Sequence, residues 1–187
     1  VYEALKETEQ YISRRYNYID PILPEEITFI TSQELEDLYP GMTAKERERA
    51  FAKEKKAIFV SQIGKVLASG EKHDGRAPDY DDWELNGDII VYYPVLDIAL
   101  ELSSMGVRVD EEALRRQLAE AGCEERAGLP FQKSLLAGEL PYTIGGGIGQ
   151  SRICMFCLRK AHIGEVQSSL WPDDTMEAAE EAGIHLL

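Results

Sequence analysis

The pattern of apolar and polar positions predicts alternating helices and strands along the chain. Helical spacing covers residues 1–19, 33–39, 44 to about 56, 111–121 and 131–139, with a last short helix over 162–171. Ser32 is the predicted cap of the helix at 33–39, and Thr43 with Glu46 predicts a capping box before the next helix, whose run of charges is expected to face solvent. Apolar runs predict strands at 27–30, 57–63, 88–94 and 95–102, the last two turning around Pro94. No linker or repeat divides the chain, which predicts one domain over residues 1–187, with a mobile acidic tail at 173–187.

The strand predicted at 95–102 carries polar residues on one of its two faces. Strict alternation places Asp97, Ala99, Glu101 and Ser103 together, and the intervening leucines and isoleucine on the face toward the core. Ser104 and Arg108 follow closely. A carboxylate at this position is often only a solvated edge residue, but carboxylate oxygens also suit Mg²⁺ bridged to nucleotide phosphates, and arginine suits phosphate or carboxylate.

A glycine-rich stretch, Thr143–Arg152, reads as a strand that passes into a helix. Its glycines remove Cβ atoms where a flat ligand could lie on bare backbone. Arg152 falls in the first helical turn, where its guanidinium and the helix dipole would both face an anion. The alternative interpretation is a glycine-rich bend that only allows close packing of helix on sheet.

Two common nucleotide-binding motifs do not fit this stretch. A dinucleotide fingerprint requires glycine where the chain has Gln150, and a P-loop requires Gly-Lys-Ser/Thr where the chain has Gln150-Ser151-Arg152. The remaining pattern, Gly-x-Gly-x-Gly-x-x-Arg, resembles the third signature motif of class II aminoacyl-tRNA synthetases and their relatives, in which it holds ATP.

The segment Arg76–Trp83 contains three carboxylates, an arginine and two aromatic residues within eight positions. It could be merely an acidic surface turn. As a functional loop, its carboxylates would receive a substrate ammonium group, while Arg76 would pair with a carboxylate or phosphate and the rings would exclude water.

Composition narrows the classes of function. The net charge of −14 disfavours binding to nucleic acid or to an anionic membrane surface. The chain contains no apolar run of membrane-spanning length and no leader-like start, so we expect a soluble, cytoplasmic protein. Three cysteines do not suggest a disulfide framework, and we expect Cys154 and Cys157 to be buried packing residues.

Four stretches together carry a resemblance to a known family. The chain strongly resembles the aspartate–ammonia ligases, the asparagine synthetases of the A type. The segments that carry this resemblance are RAPDYDDW, LNGDI, ELSSMGVRVD and TIGGGIGQSR, with SQELEDLYP and ERERAFAKE before them. The likeness runs from about residue 27 to about residue 172. It implies an α+β fold, with an antiparallel sheet flanked by helices as in the catalytic core of class II synthetases.

The resemblance also implies a reaction and its partners. L-Aspartate and ammonia would be joined with ATP and Mg²⁺ through a β-aspartyl-adenylate, giving asparagine, AMP and pyrophosphate, in a homodimer of the complete protein. Adenylation would turn the carboxylate hydroxyl into a leaving group, and the protein would align the reactants and offset developing charge.

The family's site residues carry over to matching positions of this sequence. Asp81 would hold the substrate amino group, and Arg76 would line the same pocket. Arg108 would bind substrate or phosphate, and Arg152 would stack on or pair with ATP. The resemblance assigns Asp88 and Glu101 to metal and nucleotide, Ser103 and Ser104 to the nucleotide pocket, and Gly145 and Gly147 to the adenosine floor.

Two departures from the family pattern affect this interpretation. The family carries well over a hundred residues before the position of Val1, including the first and second signature motifs, so this chain alone should hold only part of the active site. The loop between DYDDW and LNGD is usually longer, whereas Trp83-Glu84-Leu85 joins them almost directly. Either the loop is short, or residues are missing there.

Two other functions agree with parts of the sequence. An asparaginyl- or aspartyl-tRNA synthetase core would share the Arg152 motif, although the acidic charge and the lack of an anticodon-binding segment disfavour it. A non-catalytic paralogue that binds an amino acid or nucleotide would agree with the missing motifs.

Overall fold

The computed structural model describes residues 1–187. Five strands are present: β1 (Thr28–Thr31), β2 (Ala57–Ser61), β3 (Asp81–Tyr93), β4 (Ile98–Arg108) and β5 (Ile144–Ile148). The helices are α1 (Tyr2–Tyr16), α2 (Ser32–Leu38), α3 (Ala44–Lys55), α4 (Glu111–Glu120), α5 (Pro130–Leu136), α6 (Gln150–Leu158) and α7 (Asp173–Glu181). Two 3₁₀ turns cover Glu124–Gly128 and Ile163–Glu165.

The strands form one sheet in chain order, β1-β2-β3-β4-β5. β1 and β2 run parallel and are connected through α2 and α3, whereas the other neighbours are antiparallel. The predicted antiparallel sheet is therefore confirmed for β2 to β5, and the sheet as a whole is mixed. Parallel neighbours need a crossover, and the two helices between β1 and β2 provide it.

Each side of the sheet is covered by different helices, and we name the two sides after them. On the α1 face, Ile89, Val91 and Leu100 pack with Tyr2 and Leu5 of α1 and with residues of α6. On the α3 face, a second cluster joins the sheet to α2 and α3; it contains Ile58, Val60, Ile90, Leu35 and Phe51. Alternate residues of β2 and β3 thus enter different cores, as the period of two requires.

The helices α2 and α3 begin at residues that the local sequence specifies. Thr31 and Glu34 form a capping box at α2, and Thr43 and Glu46 form one at α3. In each, the threonine hydroxyl accepts from the glutamate backbone N–H while the glutamate carboxylate accepts from the threonine backbone N–H, which satisfies two helix-start donors. The predicted box at Thr43 is confirmed, whereas α2 is capped by Thr31 rather than by the predicted Ser32.

A β-bulge in β4 changes which residues share a face. Ile89 pairs with Ser103 and Ile90 pairs with Glu101, so Leu102 is an extra residue without a partner on β3. Leu102 packs in the core of the α1 face. The prediction that strict alternation places Glu101 and Ser103 on one face is therefore wrong.

Several other local predictions differ from the structure. Asp97 lies in the turn between β3 and β4 with φ of 52°, not in a strand, and pairs with Lys53 of α3. Helical structure predicted at 162–171 is limited to the 3₁₀ turn, and the predicted tail contains α7. α3 does not present all its charges to solvent, since Arg47 and Glu48 are buried.

Residues 83–85, where the family pattern predicts a longer loop, lie within the continuous strand β3. Trp83 is fully buried and contributes to anchoring this part of the strand. No helix of the structure has the length and apolar character needed to cross a membrane.

A third hydrophobic cluster joins α4 and α5 beside the sheet. Leu114 is fully buried there among Val109, Ala113, Leu118 and Leu135. We expect Leu114→Ala to lower the free energy of unfolding by about 2–5 kcal/mol, because it removes buried methyl groups and leaves a cavity. Urea denaturation measures this change. Arg115→Ala on the exposed side of the same helix is the control, and an equal loss there would contradict the assignment.

Candidate active site

The polar side chains of the sheet collect at one end of the α3 face. Ser104 of β4 is paired with Asp88 of β3 and with Gly147 of β5, and Gly106 is paired with Gly145. The bulge at Leu102 brings Glu101 onto the same face, since its partner Ile90 packs against α2 and α3.

Three arginines pair with three carboxylates along this end of the sheet. Arg76 binds Asp88, and Arg108 binds Asp81. Arg152 lies 3.5 Å from the Glu101 carboxylate, and its Nη1 donates to the Glu101 carbonyl oxygen at 3.1 Å. These six residues are all ones that the sequence singled out. The structure places Arg76 on Asp88, whereas the family resemblance assigned it to the pocket of Asp81.

The glycines make room for these pairs. A Cβ at Gly106 would lie 2.8 Å from Cγ of Asp81, and one at Gly145 would meet the Arg108 guanidinium. At Gly147 a Cβ would have no atom within 4 Å, so its backbone is open. Of the two glycines predicted as a ligand floor, Gly145 therefore supports an arginine and Gly147 is uncovered.

The two serines predicted for one nucleotide pocket lie on opposite faces. Ser103 is buried on the α1 face, where its hydroxyl donates to the Gly147 carbonyl oxygen at 2.9 Å. Ser104 faces the same side as Asp88. The prediction that both serines line one pocket does not fit this register, because the bulge at Leu102 turns Ser103 away.

The three carboxylates of residues 79–82, where the chain enters β3, have different surroundings. Asp79 accepts from Gln132 Nε2 at 2.6 Å, and Asp82 accepts from Arg116 Nη2 at 3.1 Å. Only Asp81 turns toward the sheet and Arg108. The Arg108 guanidinium also lies 3.9 Å from the centre of the Tyr80 ring, which holds the cation in a stacked arrangement.

Two buried polar residues near the site were missed by the sequence interpretation. Gln117 of α4 is fully buried, donates to the Pro78 carbonyl oxygen in the loop before β3 and accepts from the Trp83 backbone N–H in β3. His73 is buried, and its Nε2 lies 3.0 Å from the Glu48 carboxylate of α3. A signal existed for Gln117, because it shares the helical face of Ala113 and Leu114 and is a polar residue among apolar ones. No comparable signal marks His73.

Burial and charge perturb the acidic groups of this region. Burial raises the pKa of Asp88, and the neighbouring charge of Glu101 adds to the rise, while the nearby Ser104 hydroxyl and the Arg76 guanidinium oppose it. Burial alone would also raise the pKa of Glu48, but hydrogen bonds from His73 and Lys45 lower it overall. Burial and the Glu101 charge both disfavour the ionised form of Asp88, whereas a cation bound beside it would favour that form.

Asp88 has the free oxygen that a metal ligand needs. Its Oδ1 is buried and has no hydrogen-bond partner, while Oδ2 bonds Arg76. The structure contains no group of three or more His, Cys, Asp or Glu side chains suited to a metal. Mg²⁺ is commonly held by one or two carboxylates together with nucleotide phosphates, and Asp88 with Glu101 fits that smaller donor set.

The two cysteines of α6 differ from each other. Cys157 is buried, and burial raises its pKa to about 11, in agreement with a packing role. Cys154 is exposed, so the prediction that both thiols are buried is wrong.

Comparison with known proteins identifies relatives of the whole chain. The family model of aspartate-ammonia ligase matches residues 1–183. The chain is 65% identical over 187 residues to an aspartate–ammonia ligase from Clostridium perfringens, and 63% identical to one from Clostridium tetani. It is covered completely in both matches but spans only 56% and 55% of those relatives.

Solved structures with a similar fold are class II synthetases. Aspartyl tRNA synthetase from Entamoeba histolytica matches 89% of this chain with a TM-score of 0.55 at 19% identity, over 36% of its own length. Asparaginyl-tRNA synthetase from Pyrococcus horikoshii, complexed with asparaginyl-adenylate, matches 88% with a TM-score of 0.55 at 17% identity, over 42% of its length. The predicted class II synthetase-like fold is confirmed.

The raised pKa of Asp88 predicts a pH dependence of stability. Below its ordinary value of 3.8 the carboxyl is protonated in both the folded and unfolded chain. As pH rises from there through the higher folded pKa, the folded state holds more protons than the unfolded state, so the stability from this group is progressively lost. Asp88→Asn removes that loss.

We therefore expect the free energy of unfolding of the wild type to fall relative to that of Asp88→Asn as pH rises through this window. Urea denaturation at a series of pH values measures the difference. Asp20→Asn, at an exposed position, is the control. A constant difference between Asp88→Asn and wild type would show that Asp88 is not perturbed.

Proposed function

The chain belongs to the aspartate–ammonia ligase family, and from that premise we propose that the full-length protein is an enzyme that makes asparagine from L-aspartate, ammonia and ATP. The chain spans about half the length of the relatives it matches. The activity is accordingly proposed for the full-length protein, of which this chain would supply the ATP- and aspartate-binding residues described above.

The observation that carries the proposal is the set of three arginine–carboxylate pairs on one face of the sheet, beside the open backbone of Gly147. Arginines bind phosphate and carboxylate groups, and the carboxylates bind ammonium groups or metal ions. A ligand with both kinds of charge could exchange partners with these pairs without leaving a buried charge unpaired. Aspartate and ATP–Mg²⁺ together have those charges.

At one end of this face, Arg152 and Gly147 would hold ATP. The Arg152 side chain is half-exposed and can turn from Glu101 toward a phosphate or an adenine ring. Ser104 lies next to Gly147 in the sheet and can donate a hydroxyl hydrogen bond. Asp88 and Glu101 would hold Mg²⁺ together with phosphate oxygens of ATP, and the metal would offset negative charge there.

At the other end, Asp81 and Arg108 would bind aspartate. Asp81 would receive the substrate ammonium group, while Arg108 would turn toward a substrate carboxylate or the α-phosphate. β4 rises roughly 3.3 Å per residue, so the seven steps from Glu101 to Arg108 span about 23 Å, enough for two ligands placed end to end.

The proposed chemistry requires alignment more than a reactive side chain. We propose that the aspartate side-chain carboxylate attacks the α-phosphate of ATP, releasing pyrophosphate and forming a β-aspartyl-adenylate. Ammonia would then attack the activated carbonyl and release AMP. Arg108 and Arg152 would stabilise charge on the phosphate during these steps. We also propose that the full-length protein is a homodimer, as the family resemblance implies, and that it is cytoplasmic.

Arg152→Ala in the full-length protein should reduce aspartate-dependent exchange of pyrophosphate into ATP by about 100-fold or more, because a donor to developing phosphate charge is lost. Thermal unfolding should change little, since exposed ion pairs contribute about 0–1 kcal/mol. Arg152→Lys, which retains the charge, should lose less activity. Undiminished exchange by Arg152→Ala would contradict the role.

Exchange by the wild type that requires tRNA would favour a tRNA synthetase, and ligand binding without AMP release would favour a non-catalytic protein.

Asp81→Asn should raise the KM for aspartate about tenfold or more and leave the KM for ATP nearly unchanged, because an ammonium group loses a charged partner worth about 1.5–3 kcal/mol. Steady-state assays of asparagine formation in the full-length protein measure both constants. Asp82→Asn is the matched control, since Asp82 pairs with Arg116 away from the site. An equal effect of the two variants would argue against a specific role of Asp81.

A further inference from the structure

Gln117 is bonded to both ends of the segment 78–83, which carries Asp81. Its Oε1 accepts from the Trp83 backbone N–H at 2.8 Å, and its Nε2 donates to the carbonyl oxygens of Pro78 at 2.9 Å and Asp81 at 3.0 Å. All three hydrogen bonds are buried, and the Gln117 side chain has no solvent exposure. One amide group therefore fixes three backbone groups across six residues.

The segment has one other backbone link to a neighbouring element, since the Val109 N–H donates to the Tyr80 carbonyl oxygen at 3.0 Å. Residues 62–80 form no helix or strand beyond an isolated bridge between Val66 and Lys72, and β3 begins at Asp81. The register between β3 and β4 is interrupted between Asp81 and Asn86, so the sheet does not hold the intervening backbone in regular pairs. Gln117 supplies a hydrogen-bond acceptor and donors in that gap, where backbone groups would otherwise be buried without partners.

Neighbouring contacts orient the other carboxylates of the loop away from the sheet. Gln132 and Arg126 bind Asp79, and Arg116 binds Asp82. With those two carboxylates held by the α4–α5 layer, the remaining one, Asp81, faces Arg108 over Gly106. The direction of Asp81 thus depends on where the backbone of residues 78–83 lies.

We propose that Gln117 is a positioning residue for the amino-acid subsite, which it controls through the backbone on both sides of Asp81. This inference rests on the proposed function, because it assigns Asp81 to the substrate ammonium group. Gln117 itself does not contact substrate. Its effect should fall on aspartate binding and leave ATP binding unaffected, since the ATP residues Arg152 and Gly147 lie at the other end of β4.

Gln117→Met tests the proposal in the full-length protein, because methionine is similar in length but cannot make the three hydrogen bonds. We expect the KM for aspartate to rise about tenfold or more and the KM for ATP to stay within about twofold, since a misplaced Asp81 loses much of a charged hydrogen bond. Amide hydrogen exchange at residues 78–83 should become faster, while exchange in the core of β3 should not.

Leu118→Ala is the matched control, since Leu118 is the next residue of α4 and is buried in the same layer. It should lower stability through a cavity, with the KM for aspartate and exchange at 78–83 unchanged. Gln117→Asn keeps an amide on a shorter side chain and replaces Gln117→Met if that variant does not fold. An equal rise in KM for Leu118→Ala, or unchanged KM and exchange for the Gln117 variants, would overturn the proposal.

If the wild type forms no asparagine, the proposed function fails, and two measurements still decide the positioning role. Faster exchange at 78–83 together with weaker aspartate binding by calorimetry in Gln117→Met would support it. Unchanged exchange and unchanged aspartate affinity in that variant would refute it.

Discussion

The extra residue at Leu102 determines which side chains can act together. Without it, the residues of β4 on either side would alternate regularly, and Glu101 would share a face with Ser103 rather than with Ser104. Because Leu102 and Leu100 both pack in the core of the α1 face, the bulge is stabilised by burial of apolar surface. Packing on one side of the sheet thus sets the arrangement of polar groups on the other.

The arginine–carboxylate pairs also follow from the demands of burial. Asp81 and Asp88 are almost completely buried, and a buried carboxylate without a partner costs several kcal/mol. Arg108 and Arg76 offset that cost while they hold guanidinium groups where an anionic ligand could bind. The charges of these two arginines and two aspartates cancel, although the chain as a whole has a net charge of −14. The Oδ1 atom of Asp88 is left without a hydrogen bond. In the proposed function, this oxygen is the one that would bind a cation.

Both loops that bring residues to the site are held from outside the sheet. Glu36 of α2 accepts from Ser69, and Glu48 of α3 binds His73, so the segment leading to Arg76 is fixed to the α3 face. Gln117 holds the next segment from α4. Irregular segments can carry functional side chains with defined positions when a rigid scaffold satisfies their backbone and buried polar groups.

The sequence by itself determined the elements whose signals are local. Apolar spacing predicted α1, β2 and α4 within a few residues, and Thr43 with Glu46 predicted the start of α3. The glycine-rich motif and the carboxylate segment indicated the candidate site residues. The family resemblance predicted the class II synthetase-like fold. The local predictions agree with the structure because helix periodicity, caps and short motifs depend on residues close to one another in the chain.

Only the tertiary structure decided how these parts face each other. A bulge depends on pairing with a distant strand, so alternation within β4 could not reveal that Ser103 turns away from Glu101. The burial of Arg47 and Glu48 depends on the partners Glu36 and His73 from other elements, so the run of charges in the sequence predicted a solvated face instead. The Arg76–Asp88 pair and the hydrogen bonds of Gln117 to the segment around Asp81 also join different parts of the chain. The packing of the whole domain determines such contacts.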